Sequence, residues 1–324
     1  MSVPWKRNWS TGATHEFIKW RYCDLKGGEV LLAYDNDHPV GMITSYTRSY
    51  LMNGKVVQLR EASDWFCLPE YRQFGLGVQL MGSLMDEEEP LVVIGGNENA
   101  QALLPALGWN RIPHVNTYTL PLTTKWLVSQ VWRRLPLPKC LNASARLRDI
   151  SGLSAASPQV HTWCQHLTLL EKTQAVTQPA GGYALTPLLR ADELEWLYSA
   201  PQGMGSFFCL VFPENIVGGG FVIGRFYCYG ISKHMKLIHV QTSSPSVECY
   251  ASILSAAIQY ALECKADVAQ FRASCPFLQR ALEEVGFIWS TPTPGYWWAN
   301  GASVPESFHL TFLRGDDGIR PYPS

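Results

Sequence analysis

The chain has 324 residues, about two domains' worth, and with 47% hydrophobic and 16% charged residues it holds enough apolar material for packed cores and excludes general disorder. A net charge of −1 speaks against a specialist for nucleic acid or anionic membranes, which needs a basic surface. Nine cysteines with no C-x-x-C pair are a poor disulfide framework and fit reduced thiols in a cytoplasm, and neither a signal peptide nor an apolar run of the ~20 residues a membrane span needs is found.

In chain order, His15–Tyr22 reads as a short helix whose Phe17 and Trp20 or Tyr22 pack on the first domain. Trp5 and Trp9 are either buried there or part of a partner surface; burial is the commoner fate of such aromatics. Val30–Tyr34 and Pro39–Tyr46 form a hairpin around the turn residues 35–38. Asn53-Gly54 is a second turn, and Val56–Leu68 is a long strand ended by Pro69. A glycine loop follows, Arg72-Gln73-Phe74-Gly75-Leu76-Gly77, and then a helix running through Met85. The acidic run Asp86–Glu89 reads as that helix's solvated end. Leu91–Ile94 is a buried strand, Asn97 or Asn99 caps a helix closed by Gly108, and Asn116–Leu122 is a last strand.

Strand, glycine loop and helix make an anion-binding arrangement, because the first helix amides lack intrahelical partners and sit at the positive end of the helix dipole. The loop is not a Walker motif, since no Gly-Lys-Ser/Thr follows. It is not a dinucleotide fingerprint either, because Leu80 stands where a glycine is needed. What remains, R-x-x-G-x-G after P-E-Y, resembles the acetyl-CoA pyrophosphate loop of the GNAT N-acetyltransferase superfamily. Asn99-Ala100 followed by Leu107-Gly108-Trp109 resembles that family's later segment, and the element order of residues 29–122 matches its topology.

Residues 123–182 read as a helical linker. Its Trp-rich helix Lys125–Arg134 either packs between domains or lies on a membrane. His161 and His166 flank Cys164 without a metal-helix pattern. From Tyr183 the order starts over. Helix 191–198, strands 207–212, 220–227 and 236–241, helix 247–262 opened by Ser244-Pro245, strand 268–271, and a helix ending in Gly286-Phe287 repeat the first half. Thr242–Ser246 replaces the glycine loop, so this copy is expected to bind no coenzyme, and either shapes the acceptor pocket or stabilises the first domain.

The expected fold is therefore α/β (α+β). It consists of two GNAT-like acyl-CoA N-acyltransferase units, each a mixed, mostly antiparallel sheet flanked by helices, over residues 1–122 and 183–324. The resemblance implies acetyl-CoA as co-substrate with no metal. It places the pyrophosphate on Arg72, Gln73, Phe74, Gly75, Leu76 and Gly77, the pantetheine arm along Phe66, Cys67 and Leu68, and Asn99 near the coenzyme. An amine with a pKa near ~10.4 needs a base or a desolvating pocket. The family's strand carboxylate corresponds to Glu61, eleven positions before Arg72, with Asp64 in reserve. Strand alternation puts Glu61, Ser63 and Trp65 on one face and Asp64 on the other unless a bulge intervenes. The family's usual Tyr acid is Leu104 here, so Tyr118, a water or unassisted thiolate departure takes its place. Cys67 is discounted as a nucleophile because no His is placed to activate it. The implied reaction is acetyl transfer to a primary amine of a small molecule, amino sugar or peptide, with no nucleic acid partner. The rivals are a non-catalytic acyl-CoA module and an aminoacyl-tRNA-dependent transferase of the peptidoglycan-bridge type.

Overall fold

The computed structural model describes residues 14–127, 159–161, 184–212, 219–242, 244–300 and 304–312. The readings for Trp5, Trp9 and Cys164, and for most of the 123–182 linker, lie outside these residues.

Helix α1 (His15–Tyr22), capped by the Thr14 hydroxyl, buries Phe17, Trp20 and Tyr22. Strands β1 (Gly28–Asp35), β2 (His38–Met52) and β3 (Lys55–Cys67) form an antiparallel meander. Its second turn is Asn53-Gly54, where φ values of 50° and 79° give the twist a two-residue hairpin needs. The single-turn α2 (Pro69–Arg72) and α3 (Leu76–Met85) lead to β4 (Leu91–Ile94), α4 (Glu98–Ala106), β5 (Asn110–Arg111) and β6 (Asn116–Pro121). After β7 (Gln159–His161) and β8 (Leu185–Pro187) come α5 (Ala191–Tyr198), β9 (Ser206–Phe212), β10 (Gly220–Tyr229), β11 (Ser232–Thr242), α6 (Val247–Glu263), β12 (Val268–Ala273), α7 (Pro276–Val285), β13 (Trp289–Pro292) and β14 (Gly295–Trp298). Among the described residues no helix is long and apolar enough to cross a membrane.

Two seven-stranded sheets result. One runs β1-β2-β3-β4-β14-β5 with β8 on β2, the other β13-β6-β12-β11-β10-β9-β7. Each has one parallel central pair, β3 with β4 and β11 with β12, among antiparallel neighbours. Each also inserts a strand from the opposite half of the chain, β14 beside β4 and β6 beside β12. This corrects the boundary at residue 122. The strand read as closing the first sheet lies inside the second, between β13 and β12, and Gly295–Trp298 returns in exchange. The crossing has a local cause. Pro113 and His114, the latter at φ 59°, turn the chain away after a two-residue β5, and Ile112 and Val115 bond to Gly295 and Thr293 where the two segments pass.

In the second unit β10–β12 and β6 pack on α6 and α7 through a core that includes Phe212, Leu237, Phe271, Ile253, Leu254 and Leu282. Helix α6 is capped by Ser246, whose hydroxyl accepts from Cys249 N, and not by Ser244 as expected. Where β11 and β12 part beyond Leu237 and Phe271, the chain's own residues 308–312 fill the gap, all buried. His309 Nε2 donates to Val240 O, Ser274 Oγ bonds Phe308 O and Leu310 N, and Thr311 meets His239. Burial pushes the His309 imidazole down to about 4, partly offset by the bond to Val240 O. An unfolded chain would therefore take up a proton between pH ~6.5 and ~4 that the folded one refuses. Denaturant titrations across that window are expected to show full stability above it and a loss approaching ~3 kcal/mol as pH falls through it, with His309→Gln flattening the slope.

Candidate active site

The corresponding parting in the first sheet is open. β3 and β4 pair only at Arg60–Leu91 and Glu61–Val92, then separate. On β3 the register against β2 slips between Met42 and Thr44, and Asp64 at φ 49° is the extra residue. The bulge re-sorts the side chains. Ser63 Oγ and Asp64 Oδ2 both lie near Arg21 Nη2, at 3.4 and 3.3 Å, while Trp65 goes to the α3 side and its indole donates to Gly77 O at 2.9 Å. Asp64 thus joins Ser63 rather than opposing it, and Trp65 changes face.

A cleft of about 630 Å³ passes through the parting. Its walls are Ala62–Trp65 of β3 and Val93–Asn97 at the end of β4, with Met81 and Ala100 on the helix side. Thr117, Arg272 and Thr291–Pro294 of the exchanged sheet line the other side.

The glycine loop begins at the end of β3. The Gln73 and Phe74 amides return to Tyr71 O and the Gly75 amide to Arg72 O, so three of the five amides expected to be bare are used in the turn. Gly75 at φ 74° starts α3, and the first amide to find a main-chain acceptor is Gln79, on Gly75 O. Among the described residues the Leu76, Gly77 and Val78 amides have no main-chain acceptor, and the Gly77 amide is directed at the Cys67 sulfur. Exposed Arg72 bonds Cys67 O through Nε at 3.2 Å.

Glu61 sits where β3 and β4 begin to part. It is 8% exposed and accepts from Tyr50 Oη at 2.5 Å. The cleft wall starts at the next residue, Ala62, so Glu61 stands behind the cleft while Asp64 lines it. Asp64 accepts from Arg21, from Tyr22 Oη at 3.0 Å and from Thr44 at 3.5 Å.

Residues 2–109 match the acetyltransferase (GNAT) family. The match spans a third of the chain. No curated protein matches it. Among solved structures it is similar to Saccharomyces cerevisiae N-myristoyltransferase with bound myristoyl-CoA, at TM-score 0.56 and 13% identity over 89% of this chain and 74% of that one. A GCN5-related N-acetyltransferase from Anabaena variabilis gives 0.54 and 11% over 83% and 62%. A conserved Enterococcus faecalis protein of unknown function, a probable N-acyltransferase, gives 0.56 and 8% over 90% and 67%. At these identities the likeness is one of fold.

Several residues carried over from the GNAT pattern are not at the cleft. Tyr118 lies on β6 in the second unit's core, 3% exposed, and burial pushes its phenol up. It packs with α6 and α7, whereas its neighbour Thr117 lines the cleft. Asn99 is exposed on α4; the helix cap Asn97, which accepts from Ala100 N, lines the wall instead. Leu68 N already bonds Val40 O, so of the Phe66–Leu68 run its amide is committed to β2. Burial raises the Cys67 thiol, with Arg72 and the Gly77 N–H opposing, and its Sγ lies 3.4 Å from Leu68 O, so the net direction disfavours a thiolate. Leu104 is fully buried core. Sequence reasoning missed Arg272 and Thr117, because nothing local marks a strand that joins the other sheet.

Proposed function

We propose that the GNAT domain is an acetyl-CoA-dependent N-acyltransferase acting on a primary amine of a small molecule or peptide by direct attack. The observation that carries this is the start of α3, where the Leu76 and Val78 amides have no main-chain acceptor and the Gly77 amide turns to the Cys67 sulfur. N–H groups at a helix start suit a pyrophosphate, and Arg72 adds charge. The parting offers unpaired strand edge for a pantetheine arm, and the bulge at Ser63–Trp65 presents backbone N–H toward a thioester oxygen. The amine then attacks the thioester carbon. Its proton passes toward Glu61, the C–S bond breaks, and the CoA thiolate leaves without a neighbouring phenol.

A second reading, a non-catalytic acyl-CoA sensor, is favoured by the Tyr50–Glu61 bond and by Leu104 in place of a hydroxyl. Calorimetry with acetyl-CoA, followed by CoA release across an amine library, separates the two.

Gly77→Val tests the pyrophosphate site. The three atoms nearest to a Cβ at Gly77 all belong to the Trp65 indole, at 3.5–3.8 Å, which is ordinary contact. The fold is expected to survive, since Val is no worse a helix former than Gly, while the added side chain crowds the start of α3. Charge-assisted bonds contribute ~1.5–3 kcal/mol each, so acetyl-CoA affinity is expected to fall ~10- to 100-fold or more. Gly82→Ala, whose Cβ meets nothing within 4 Å, is the control and should keep the affinity. Unchanged binding by the Gly77 variant removes the amides from the site.

A further inference from the structure

We propose that Trp297 is a positioning residue for the acyl transfer: its indole N–H holds the water through which Glu61 takes the proton of the attacking amine. This rests on the acyltransferase reading with Glu61 as base, and adds to it a group from the far end of the chain.

Trp297 is 1% exposed, and among the described residues its Nε1 has no hydrogen-bond partner. A buried indole N–H ordinarily finds an acceptor. The other buried tryptophans of the described residues do so: Trp20 and Trp196 each donate to the other's carbonyl oxygen at 2.7 Å, and Trp109 donates to Met85 Sδ at 3.4 Å. An unmade bond is costly in apolar surroundings. Those of Trp297 are apolar, with Leu59, Val92 and Ile112 in the same core and the Phe308 ring set edge-on at 6.1 Å.

The ladder fixes what stands beside this indole. Val92 of β4 pairs with Glu61 of β3 on one side and with Trp297 of β14 on the other. Residues directly opposite in neighbouring strands share a face. The three therefore form one row across the sheet, about 10 Å from the first Cα to the last, and Val92, the smallest, separates the other two. The cores agree with this. Leu59 and Tyr50, whose hydroxyl bonds Glu61, belong to the same core as Trp297, while Ala62, Leu91 and Tyr296 belong to the core on the helix side. Ala62 and Val93, the next residues along β3 and β4, are already cleft wall. The row is the layer directly behind the cleft, with a carboxylate at one end and an N–H donor at the other.

A water bridging the two ends has the three partners that ordered internal water takes. Its oxygen accepts from Trp297 and from the amine, and one O–H donates to Glu61. As the amine nitrogen bonds to the thioester carbon, its proton moves to the water and a water proton moves to Glu61. The C–S bond breaks, the thiolate leaves, and Trp297 keeps its proton.

The test replaces Trp297 in the full chain by 3-benzothienylalanine, in which sulfur stands in place of the N–H, so that shape is kept and the donor is lost. Trp297→Phe is the second variant. Single-turnover CoA release is followed with acetyl-CoA and an accepted amine, in the wild-type and in the Glu61→Gln background. Loss of the donor is expected to slow release ~10-fold, with acetyl-CoA affinity in calorimetry unchanged. In the Glu61→Gln background the loss should shrink below ~2-fold, because the water then has no base to serve. A tryptophan that only packs gives an isostere with the wild-type rate, and a general defect gives the same loss in both backgrounds. Either result overturns this proposal and leaves the acyltransferase reading standing. If Trp297→Phe does not fold, the isostere decides alone. A wild type that releases no CoA across the amine library overturns both, and Glu61→Gln at the wild-type rate removes the base and the relay together.

Discussion

Glu61→Gln is expected to lower kcat for acetyl transfer by ~10²- to 10⁴-fold, the range for loss of a general base. KM for acetyl-CoA should stay unchanged, because the amides proposed for the pyrophosphate belong to the start of α3 and not to the strand that carries Glu61. Gln keeps the shape of Glu and can accept from Tyr50 Oη as the carboxylate does at 2.5 Å, so the buried hydroxyl is not orphaned and the fold should hold. What changes is the capacity to take a proton. Glu61 stands one residue behind the cleft wall, at the last paired position before β3 and β4 part. A water between it and the amine is therefore part of the expected relay. Single-turnover CoA release with the variant settles the matter: an unaltered rate takes the base away from Glu61, and an equal rise in KM and fall in kcat/KM would point to a binding role.

The first sheet could be read from the sequence because its signals are local. Asn53-Gly54 can only turn, Pro69 can only end a strand, and Gly75 and Gly77 ahead of an apolar run mark the turn into a helix. The repeat in the second half was legible for the same reason, down to the aliphatic-Gly-aromatic ends at Gly108 and Gly286, both at positive φ. The exchange of β6 and β14 was not legible. Period-two patterning shows that Asn116–Pro121 and Gly295–Trp298 are strands and says nothing about which sheet takes them, since pairing is long-range. Tyr118 was misplaced as a direct consequence: on β6 it faces the second unit's helices, and its neighbour Thr117 faces the cleft. The bulge escaped for a different reason. Asp64 in a left-handed conformation is set by Arg21 and Tyr22, forty-odd residues upstream, and not by the strand it interrupts.

That dependence makes Asp64→Asn the change expected to harm stability most. Asn tolerates positive φ nearly as well as Asp, so the backbone at 49° is spared and only the charge is removed. Arg21, with 3% of its side chain exposed, then loses the carboxylate at 3.3 Å and keeps, among the described contacts, Ser63 Oγ at 3.4 Å and the faces of Tyr22 and Tyr46 at 5.9 and 5.2 Å. Removing one member of a buried ion pair destabilises by ~3–5 kcal/mol, and urea unfolding should show a loss of that order. Arg21→Met combined with Asp64→Asn should recover a large part of it, since the uncompensated charge is gone. The pair also ties α1 to the bulge, and through Trp65 to Gly77 O at 2.9 Å, so the double variant separates two roles. If stability returns and CoA release does not, the Arg21–Asp64 contact aims the strand edge at the thioester as well as holding the fold. If the single variant loses less than ~1 kcal/mol, the bulge is held by its backbone alone, and α1 has no part in shaping the cleft.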